Sequence, residues 1–333
     1  MSDTNTAGNA KLQYEAGQEI SAMAEMTDSG DHKTFTTDDA PLWSQKDGYE
    51  PDIRPDGLIT GGAVTPGAAV DTVSAAAATC YLAGEETDVV ADAALSVARP
   101  AGGSYLRKIV SVIITDAGAY DTEDGADGTS AFSSSRGAAG GPPLIPAGAI
   151  EVAQIKLTSD SSGLIEQEEI FQVPGSSQER YDYPVWEEDP FTGSITFASA
   201  LPAIHAGSPA TYKNVYAEVY EPIFADIDPV TDFVPPENTH SVSSTQVYGG
   251  TIGASSSSLG QGSFTAFLKD GVTDPLIALA DQILFFKLFP DRNKTPYLLC
   301  QGKLGIARTF PAGDNIKAEC TISASQKGIE SVS

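Results

Sequence analysis

Two runs in the C-terminal third decide the fold: Y-L-L-C-Q-G-K-L-G-I-A at residues 297–307 and I-K-A-E-C-T-I-S-A at residues 316–324. In both, apolar side chains alternate with polar or small ones, which is the period of a strand with one buried face. Pro311 to Asp314, between the runs, supplies turn-forming residues. The two runs are therefore predicted to pair as an antiparallel hairpin. Cys300 and Cys320 fall on the apolar positions, so both thiols are expected to be buried, reduced and inert.

The residues just upstream extend the same β-rich unit. Residues 283–289 (I-L-F-F-K-L-F) are apolar on both faces, which predicts a fully covered strand. Asp274 followed by Pro275 has the residue types of a helix N-cap and first position, so one short helix of about two turns is expected over 275–281. Residues 263–268 and 242–252 are predicted to add further strands.

The middle of the chain is also predicted to be β-rich. Candidate strands lie at 105–115, 150–157, 194–198 and 212–220, with turn-rich stretches between them. The Ser- and Gly-rich residues 133–143 are interpreted as a flexible loop or an interdomain seam. The fold class is therefore predicted to be mainly β.

Charge is distributed unevenly along the 333 residues, which carry 45 acidic and 19 basic side chains and a net charge of −26. Residues 1–65 have a net charge of −8, residues 66–239 of −19 and residues 240–333 of +1. A length of this size suggests about two domains. The near-neutral part is expected to bury surface against partners, and the acidic part to face water.

Two Pro- and Gly-containing segments, 56–67 and 228–236, are interpreted as joints between domains. The predicted organisation is an insertion. Residues 1–60 and 237–333 form one discontinuous body with an N-terminal arm, and residues 66–230 form an acidic, outward-facing β-rich domain.

Several classes of protein are disfavoured by composition. The large negative charge argues against sequence-specific binding of nucleic acid, since phosphate attraction supplies much of that affinity. The chain has no run of eighteen apolar residues, so no membrane partner is expected, and the polar residues 1–10 predict no secretory signal. Three scattered cysteines indicate neither a disulfide framework nor a zinc site, which fits synthesis in a reducing cytoplasm.

Motifs for catalysis are equally scarce. His32, His205 and His240 have no spacing typical of a metal site or a catalytic triad. The Gly-rich residues 249–253 match no phosphate-binding loop and predict a strand bend or bulge. We therefore predict no catalytic residues, no cofactor and no metal site, and a protein that is not an enzyme.

Three acidic runs are candidate sites. Residues 121–128 (D-T-E-D-G-A-D-G) have oxygen ligands suited to Ca²⁺, but their spacing departs from the EF-hand loop and favours a solvated hairpin tip. Residues 166–169 and 187–189 contain carboxylates that an acid–base pair would need, yet both runs are typical of solvated surface.

The order of elements over residues 262–324, strand, short helix, apolar strand and long hairpin, resembles the C-terminal half of the major tail tube proteins of tailed bacteriophages. The resemblance implies a β-sandwich with one flanking helix that assembles as stacked, helically arranged homo-hexameric rings. It further implies location in the virion tail after synthesis in the host cytoplasm. Its implied partners are terminator, tape measure and distal tail proteins, with DNA passing through the lumen. Residues 1–60, with candidate strands around 49–59, would complete the sandwich and its arm.

Two features qualify the resemblance. The inserted domain departs from the minimal tube fold and would obstruct a contractile sheath, so it favours a long, non-contractile, siphovirus-like tail. A conduit should not bind its cargo, so the lumen is expected to be acidic or neutral. The acids between Asp28 and Asp56 could face either way, and Glu319 and Asp281 are further candidates for the wall.

Two other functions compete with a tail tube. A carbohydrate-binding or adhesive β-domain protein of a virion or cell surface would also suit two β-domains and the aromatic run Y-D-Y-P-V-W at 181–186. The same run is typical of a core or interdomain plug. A hydrolase is the third alternative.

Overall fold

The computed structural model describes residues 9–104, 106–129, 131–172, 185–207, 213–248 and 250–331. Strands make up 52% of the residues that the structure describes and helices 3%, so the predicted mainly β class is confirmed. Among the described residues, no helix is long and apolar enough to cross a membrane.

The structure contains many short and a few long strands. In chain order they are β1 (Lys11–Glu25), β2 (Thr27–Asp28), β3 (Thr34–Thr36), β4 (Asp52–Pro55), β5 (Gly57–Gly61), β6 (Val64–Pro66), β7 (Thr72–Ala75), β8 (Ala78–Leu82), β9 (Glu85–Val89), β10 (Asp92–Ser96), β11 (Lys108–Ile114), β12 (Tyr120–Asp124), β13 (Ile150–Leu157), β14 (Ile170–Gln172), β15 (Trp186–Asp189), β16 (Ser194–Phe197), β17 (Val215–Asp226), β18 (Val230–Val234), β19 (Asn238–Val247), β20 (Gly250–Leu259), β21 (Gly262–Phe267), β22 (Ile283–Phe289), β23 (Tyr297–Thr309), β24 (Lys317–Ser323) and β25 (Ile329–Ser331). In the described part of the chain, 3₁₀ helices span Gln167–Glu169 and Pro275–Leu279.

The chain divides into two compact units, each assembled from separated segments. Unit 1 comprises residues 1–20, 42–50 and 220–333, and unit 2 comprises residues 21–41 and 51–219. The sequence predicts a different division, with residues 21–41 and 51–60 in the first body and residues 220–230 in the insertion. In the structure, Ala225, Ile227 and Val230 pack against the core of unit 1.

Unit 1 is built on one antiparallel sheet with the order β18-β21-β24-β23-β22-β1-β17, and β25 pairs with β23. The predicted C-terminal hairpin is confirmed, because β23 and β24 pair antiparallel with Ile306 opposite Cys320. The apolar residues of β24 are buried and its polar residues face outward, as its alternation predicts. The predicted covered strand is β22, whose middle residues Leu284 to Phe286 are fully buried while its two ends are half-buried.

Strand β23 changes its pairing along its length. Its first half, Leu298 to Lys303, pairs with β22, and its second half, Lys303 to Thr309, pairs with β24. Gly302 lies at this change, where a Cβ atom would come within 2.8 Å of the main-chain carbon and oxygen of Ser323. Only glycine fits there, because the neighbouring main chain occupies the space of any larger side chain.

The core of unit 1 collects side chains from one face of this sheet. Leu12 and Tyr14 of β1, Phe264 of β21, Phe286 of β22 and Cys320 of β24 belong to a single cluster. Leu276 of the second 3₁₀ helix closes one side of it. That helix is of the 3₁₀ type and five residues long, so it has about two turns, as expected, and ends two residues before the expected limit at 281. Instead of capping it, the Asp274 carboxylate accepts hydrogen bonds from the N–H groups of the preceding residues 269–271.

Unit 2 consists of several small antiparallel sheets. Their orders are β5-β8-β9, β10-β7-β6, β12-β11-β13-β14 and β15-β16-β3-β2, and β17 pairs with β4. Strands β5 to β14 share one apolar core, with Val110, Val112 and Ile155 among its fully buried residues. The expected strands at 105–115, 150–157 and 194–198 correspond to β11, β13 and β16.

Four sequence interpretations need correction. The supposed joints are largely strands, since β5 and β6 lie within 56–67 and β18 within 228–236. Residues 242–252 belong to two strands, β19 and β20, and not to one. Residues 120–124 form strand β12 and not a hairpin tip. The long first strand β1 was missed because only Leu12 and Tyr14 follow an apolar alternation, and the next buried residue, Glu15, is a carboxylate on the opposite face.

Candidate assembly surface

Strands β19 and β20 of unit 1 form a long hairpin. They pair in unbroken register from Asn238 opposite Leu259 to Val247 opposite Gly250, and within the described chain neither strand pairs with a third. Every hairpin side chain that the structure describes is exposed, except the half-buried Leu259. The hydroxyl groups of Ser241 and Ser256, 2.7 Å apart, join the two strands on one face. A two-stranded ribbon with no packed face is at best marginally stable in water, so it is typical of a segment that docks on something else.

The hairpin carries no formal charge. Residues 238–268 contain no Asp, Glu, Lys or Arg, although the whole chain has a net charge of −26. Natural proteins commonly place charged side chains on exposed strand edges to prevent edge-to-edge pairing. Without such charges, the main-chain groups of β19 and β20 are open to pairing with a strand of another molecule. This uncharged run is a signal that sequence reasoning could have used and missed.

A second neutral surface lies on the sheet of unit 1, on the side opposite its core. We call it the hydroxyl face and define it by residues of β21, β23 and β24: Ser263, Thr265, Lys303, Gly305, Ala307, Glu319, Thr321 and Ser323. Thr265 lies opposite Glu319, which lies opposite Ala307, and Ser263, Thr321 and Gly305 are aligned in the same way. Lys303 and Glu319 carry opposite charges on this face. Lys317, on the same side of β24, is paired with Asp314 at 3.3 Å, so the charges on this side balance.

The sheet of unit 1 also ends in a free edge. Strand β18 pairs with β21 on one side, and no strand in the described ranges pairs with its other side. Val234 at the end of β18 is 52% exposed. Elsewhere in unit 1, Val242, Tyr248 and Phe310 also expose most of their apolar surface. An open edge and exposed apolar side chains are features of a surface that other protein covers.

The three histidines lie in different surroundings. Nδ1 of His32 is 2.5 Å from Oδ2 of Asp28. His205 is buried, its Nδ1 lies 2.9 Å from the carbonyl oxygen of Pro146, and burial lowers its pKa. His240 lies exposed on β19. The structure places His32 and His205 in unit 2 and His240 in unit 1.

The acidic runs are parts of ordinary secondary structure. Residues 121–124 lie in β12 and residues 187–189 in β15, while residues 167–169 form a 3₁₀ helix closed by a capping box between Glu166 and Glu169. Burial is the main cause that raises the pKa of Glu123, and it also raises that of Glu188. Across the described ranges, no group of three or more His, Cys, Asp or Glu side chains is arranged to hold a metal ion.

The remaining predicted residues have definite places. Cys300 and Cys320 are buried free thiols, as expected, and burial raises the pKa of each to about 12. Glu319 is exposed on the hydroxyl face, and Asp281 follows the second 3₁₀ helix with its N–H donating to Leu304 O. From the aromatic run, Trp186 packs edge-on against Phe197, with ring centroids 6.0 Å apart. Residues 181–184 lie outside the described ranges.

Comparison with known proteins adds no relative. No protein-family model matches this chain, and no curated protein matches it in sequence. The hairpin, the hydroxyl face and the free edge of β18 therefore carry the functional argument by themselves.

Proposed function

We propose that this chain is a structural protein of a bacteriophage tail. It assembles as homo-hexameric rings that stack helically into a tail tube, a passive conduit for genome delivery. Its partners in the virion are further copies of itself and the terminator, tape measure and distal tail proteins. Unit 2, rich in acidic residues, decorates the outside of a non-contractile tail.

One observation carries this proposal: the long, uncharged hairpin β19–β20, which pairs with no third strand in the described part of the chain, on a β-rich unit with an open sheet edge. In a monomer the described side chains of this hairpin, apart from Leu259, are exposed, and the free energy of ordering the hairpin would have little compensation. Docking on a neighbouring copy satisfies main-chain groups and covers Val242 and the edge. In a closed ring every copy makes this same contact with its neighbour, so one type of interface is enough.

The hydroxyl face supports the conduit part of the proposal. A wall that carried many lysines or arginines would release counterions from DNA and bind it. A wall of serine and threonine with balanced Lys303 and Glu319 offers hydrogen bonds to water and little net attraction for phosphate. We assign this face to the lumen.

Electron microscopy of the purified full chain tests the proposal. Wild-type protein is expected to form six-fold rings or stacked tubes at high concentration. Val242→Lys places a charge on the hairpin, and we expect it to abolish stacking because a lysine is costly to bury at a protein contact.

Val90→Lys is the matched control. Val90 is 83% exposed and lies in unit 2, while Val242 is 81% exposed. This variant should assemble like the wild type. The proposal would be contradicted if the wild type stayed monomeric under virion-like salt, or if Val242→Lys and Val90→Lys assembled equally well.

A further inference from the structure

Unit 2 contains a cleft that assembly of unit 1 does not use. Its volume is about 500 Å³, within the range of about 300–1,000 Å³ typical of small-molecule sites. The floor comes from the sheet β12-β11-β13-β14, through Ile109 of β11 and Gln154 and Lys156 of β13. The rim comes from the segment 132–142. No carboxylate lines the cleft, although residues 66–239 have a net charge of −19.

The rim is held in place by its own hydrogen bonds, in contrast to the flexible loop that its composition suggested. The N–H of Ser133 donates to Gly140 O at 2.9 Å, and that of Gly137 donates to Pro142 O at 2.8 Å. The N–H of Gly140 donates to Ala126 O at 2.7 Å. A cleft with an ordered rim loses little conformational entropy when a ligand binds.

Arg136 is fixed by a buried carboxylate. Its guanidinium pairs with Glu151, which is fully buried, and its Nη1 also donates to Pro143 O at 2.9 Å. Glu151 accepts further hydrogen bonds from the hydroxyl of Ser111 at 2.5 Å and the amide of Gln154 at 3.2 Å. This network leaves two N–H groups of Arg136 and the amide oxygen of Gln154 for another partner.

Lys156 lies beside an aromatic ring and has no ion-pair partner among the residues that the structure describes. Its ammonium nitrogen lies 4.2 Å from the centre of the Phe171 ring. Arg107 stacks on Phe132 at 5.7 Å in the same manner. On this face of the sheet, Glu151 pairs with Arg136. Glu123 and Asp121 lie on β12, which β11 separates from Lys156 on β13.

We propose that this cleft binds an acidic sugar residue of a surface glycan. The carboxylate of the sugar pairs with Lys156 and the free N–H groups of Arg136. Its hydroxyl groups bond to Gln154 and to the hydroxyls of Ser133 and Ser134, and its apolar ring face lies on Phe132. Ile109, Phe132 and Pro142 give part of the cleft an apolar lining, and the volume of the cleft exceeds that of a single oxyanion. Both features favour a sugar over a free anion. The site does not depend on the proposed tail function.

Calorimetry with two matched disaccharides tests the assignment on the full chain. Cellobiouronic acid carries one carboxylate, and cellobiose is its neutral counterpart. We expect the acid to bind and cellobiose to bind at least about tenfold more weakly, because one charge-assisted hydrogen bond contributes about 1.5–3 kcal/mol. Affinity for the acid should fall as salt is added.

Three lysine variants distinguish binding at this cleft from an effect of the overall charge of the protein. Lys156→Gln should lose about tenfold or more in affinity for the acid, whereas Lys156→Arg keeps the charge and should retain most of it. Lys33→Gln, also in unit 2, makes the same change in net charge and should bind like the wild type. Thermal unfolding shows whether each variant is folded. If Lys156→Gln does not fold, Lys156→Arg still tests the role of the positive charge.

The proposal is overturned if wild-type protein binds neither disaccharide at millimolar concentration, or both equally. Equal loss in Lys156→Gln and Lys33→Gln would also overturn it. Inorganic phosphate is the last probe: if it binds as tightly as cellobiouronic acid and displaces it, the cleft is a plain anion site and the sugar assignment is wrong.

Discussion

The hydroxyl of Ser44 donates a 2.5 Å hydrogen bond to the carboxylate of Glu15, and both residues are fully buried in unit 1. The same carboxylate accepts the main-chain N–H of Phe285 at 3.1 Å and the amide of Gln18 at 2.8 Å. Glu15 therefore joins β1, β22 and the segment 42–50, which returns to unit 1 between two segments of unit 2. A buried carboxylate without a cation is stable only when its oxygens are hydrogen-bonded in this way.

Replacing Glu15 should destabilise unit 1. Glu15→Ala leaves the donors of Ser44 and Phe285 buried without acceptors, at an expected cost of about 2–3 kcal/mol. Denaturant unfolding followed by circular dichroism measures the loss. Glu19→Ala is the matched control, because Glu19 is exposed on the same strand. Similar unfolding midpoints for the two variants would show that the Glu15 network contributes nothing.

Gly302 should tolerate no side chain. In Gly302→Ala the new Cβ would press on the main chain of Ser323, and we expect a loss of about 1–3 kcal/mol in unfolding free energy. In Gly163→Ala the new Cβ meets no atom within 4 Å, so this variant should unfold like the wild type. A stable Gly302→Ala protein would mean that β23 and β24 lie farther apart than described.

Asp56 should make unit 2 less stable as pH rises toward neutrality. Asp56 is 5% exposed, and burial raises the pKa of its carboxyl to about 7. The N–H of Ala83 and the cation of Lys213 lower this pKa, and the negative charge of Glu25 raises it further. In the unfolded chain an aspartate titrates near pH 4. A raised folded pKa means that the folded state holds its proton longer, so this stabilising contribution is complete below pH 4 and is lost as pH rises to about 7.

In the wild type the N–H of Ala83 donates to Asp56 Oδ1 at 2.8 Å. The variant Asp56→Asn removes the titration and keeps a side-chain oxygen that can accept this hydrogen bond. We expect it to be more stable than the wild type at pH 7.5, with a difference that shrinks toward pH 4. The exposed Asp116→Asn serves as the control. Thermal melts across this range check the slope, and a pH-independent difference for Asp56→Asn would refute the assignment.

All three thiols should react only after unfolding. Cys80, Cys300 and Cys320 are buried, and burial raises the pKa of each to about 12. Iodoacetamide at pH 8 should label unfolded protein within minutes and leave native protein unlabelled, because the thiolate is the reactive form. The same shifts predict that stability falls between about pH 9 and 12, where only the unfolded thiols ionise. Fast labelling of native Cys300 and Cys320 would contradict the register of β23 and β24.

A lysine on the hydroxyl face should affect DNA passage and leave assembly intact. Thr321→Lys adds six positive charges per ring in the proposed tube, and each attracts phosphate. Genome delivery by phage that carry this variant should be slower than in phage with Thr321→Gln, which is similar in size and neutral. Timed DNA release from purified particles measures the effect. Equal rates for the two variants would place the hydroxyl face away from the lumen.

The sequence was sufficient for elements whose pattern is local. Residues 316–324 alternate cleanly, and residues 105–115 and 150–157 are strongly apolar, so β24, β11 and β13 were predicted close to their observed bounds. A strand with one buried face has a two-residue period whatever it pairs with. The burial of Cys300 and Cys320 follows from the same period.

Tertiary structure decided everything that depends on distant partners. Glu15 reads as a surface carboxylate, and it is buried only because Ser44 and Phe285 N–H are brought to it from distant positions in the chain. Segments 56–67 and 228–236 read as joints from their proline and glycine content, yet pairing makes β5, β6 and β18 of them. The cleft combines Lys156 with a rim about twenty residues away in sequence. Local pattern determines which face of a strand is apolar, whereas long-range pairing determines what covers that face and what is left open.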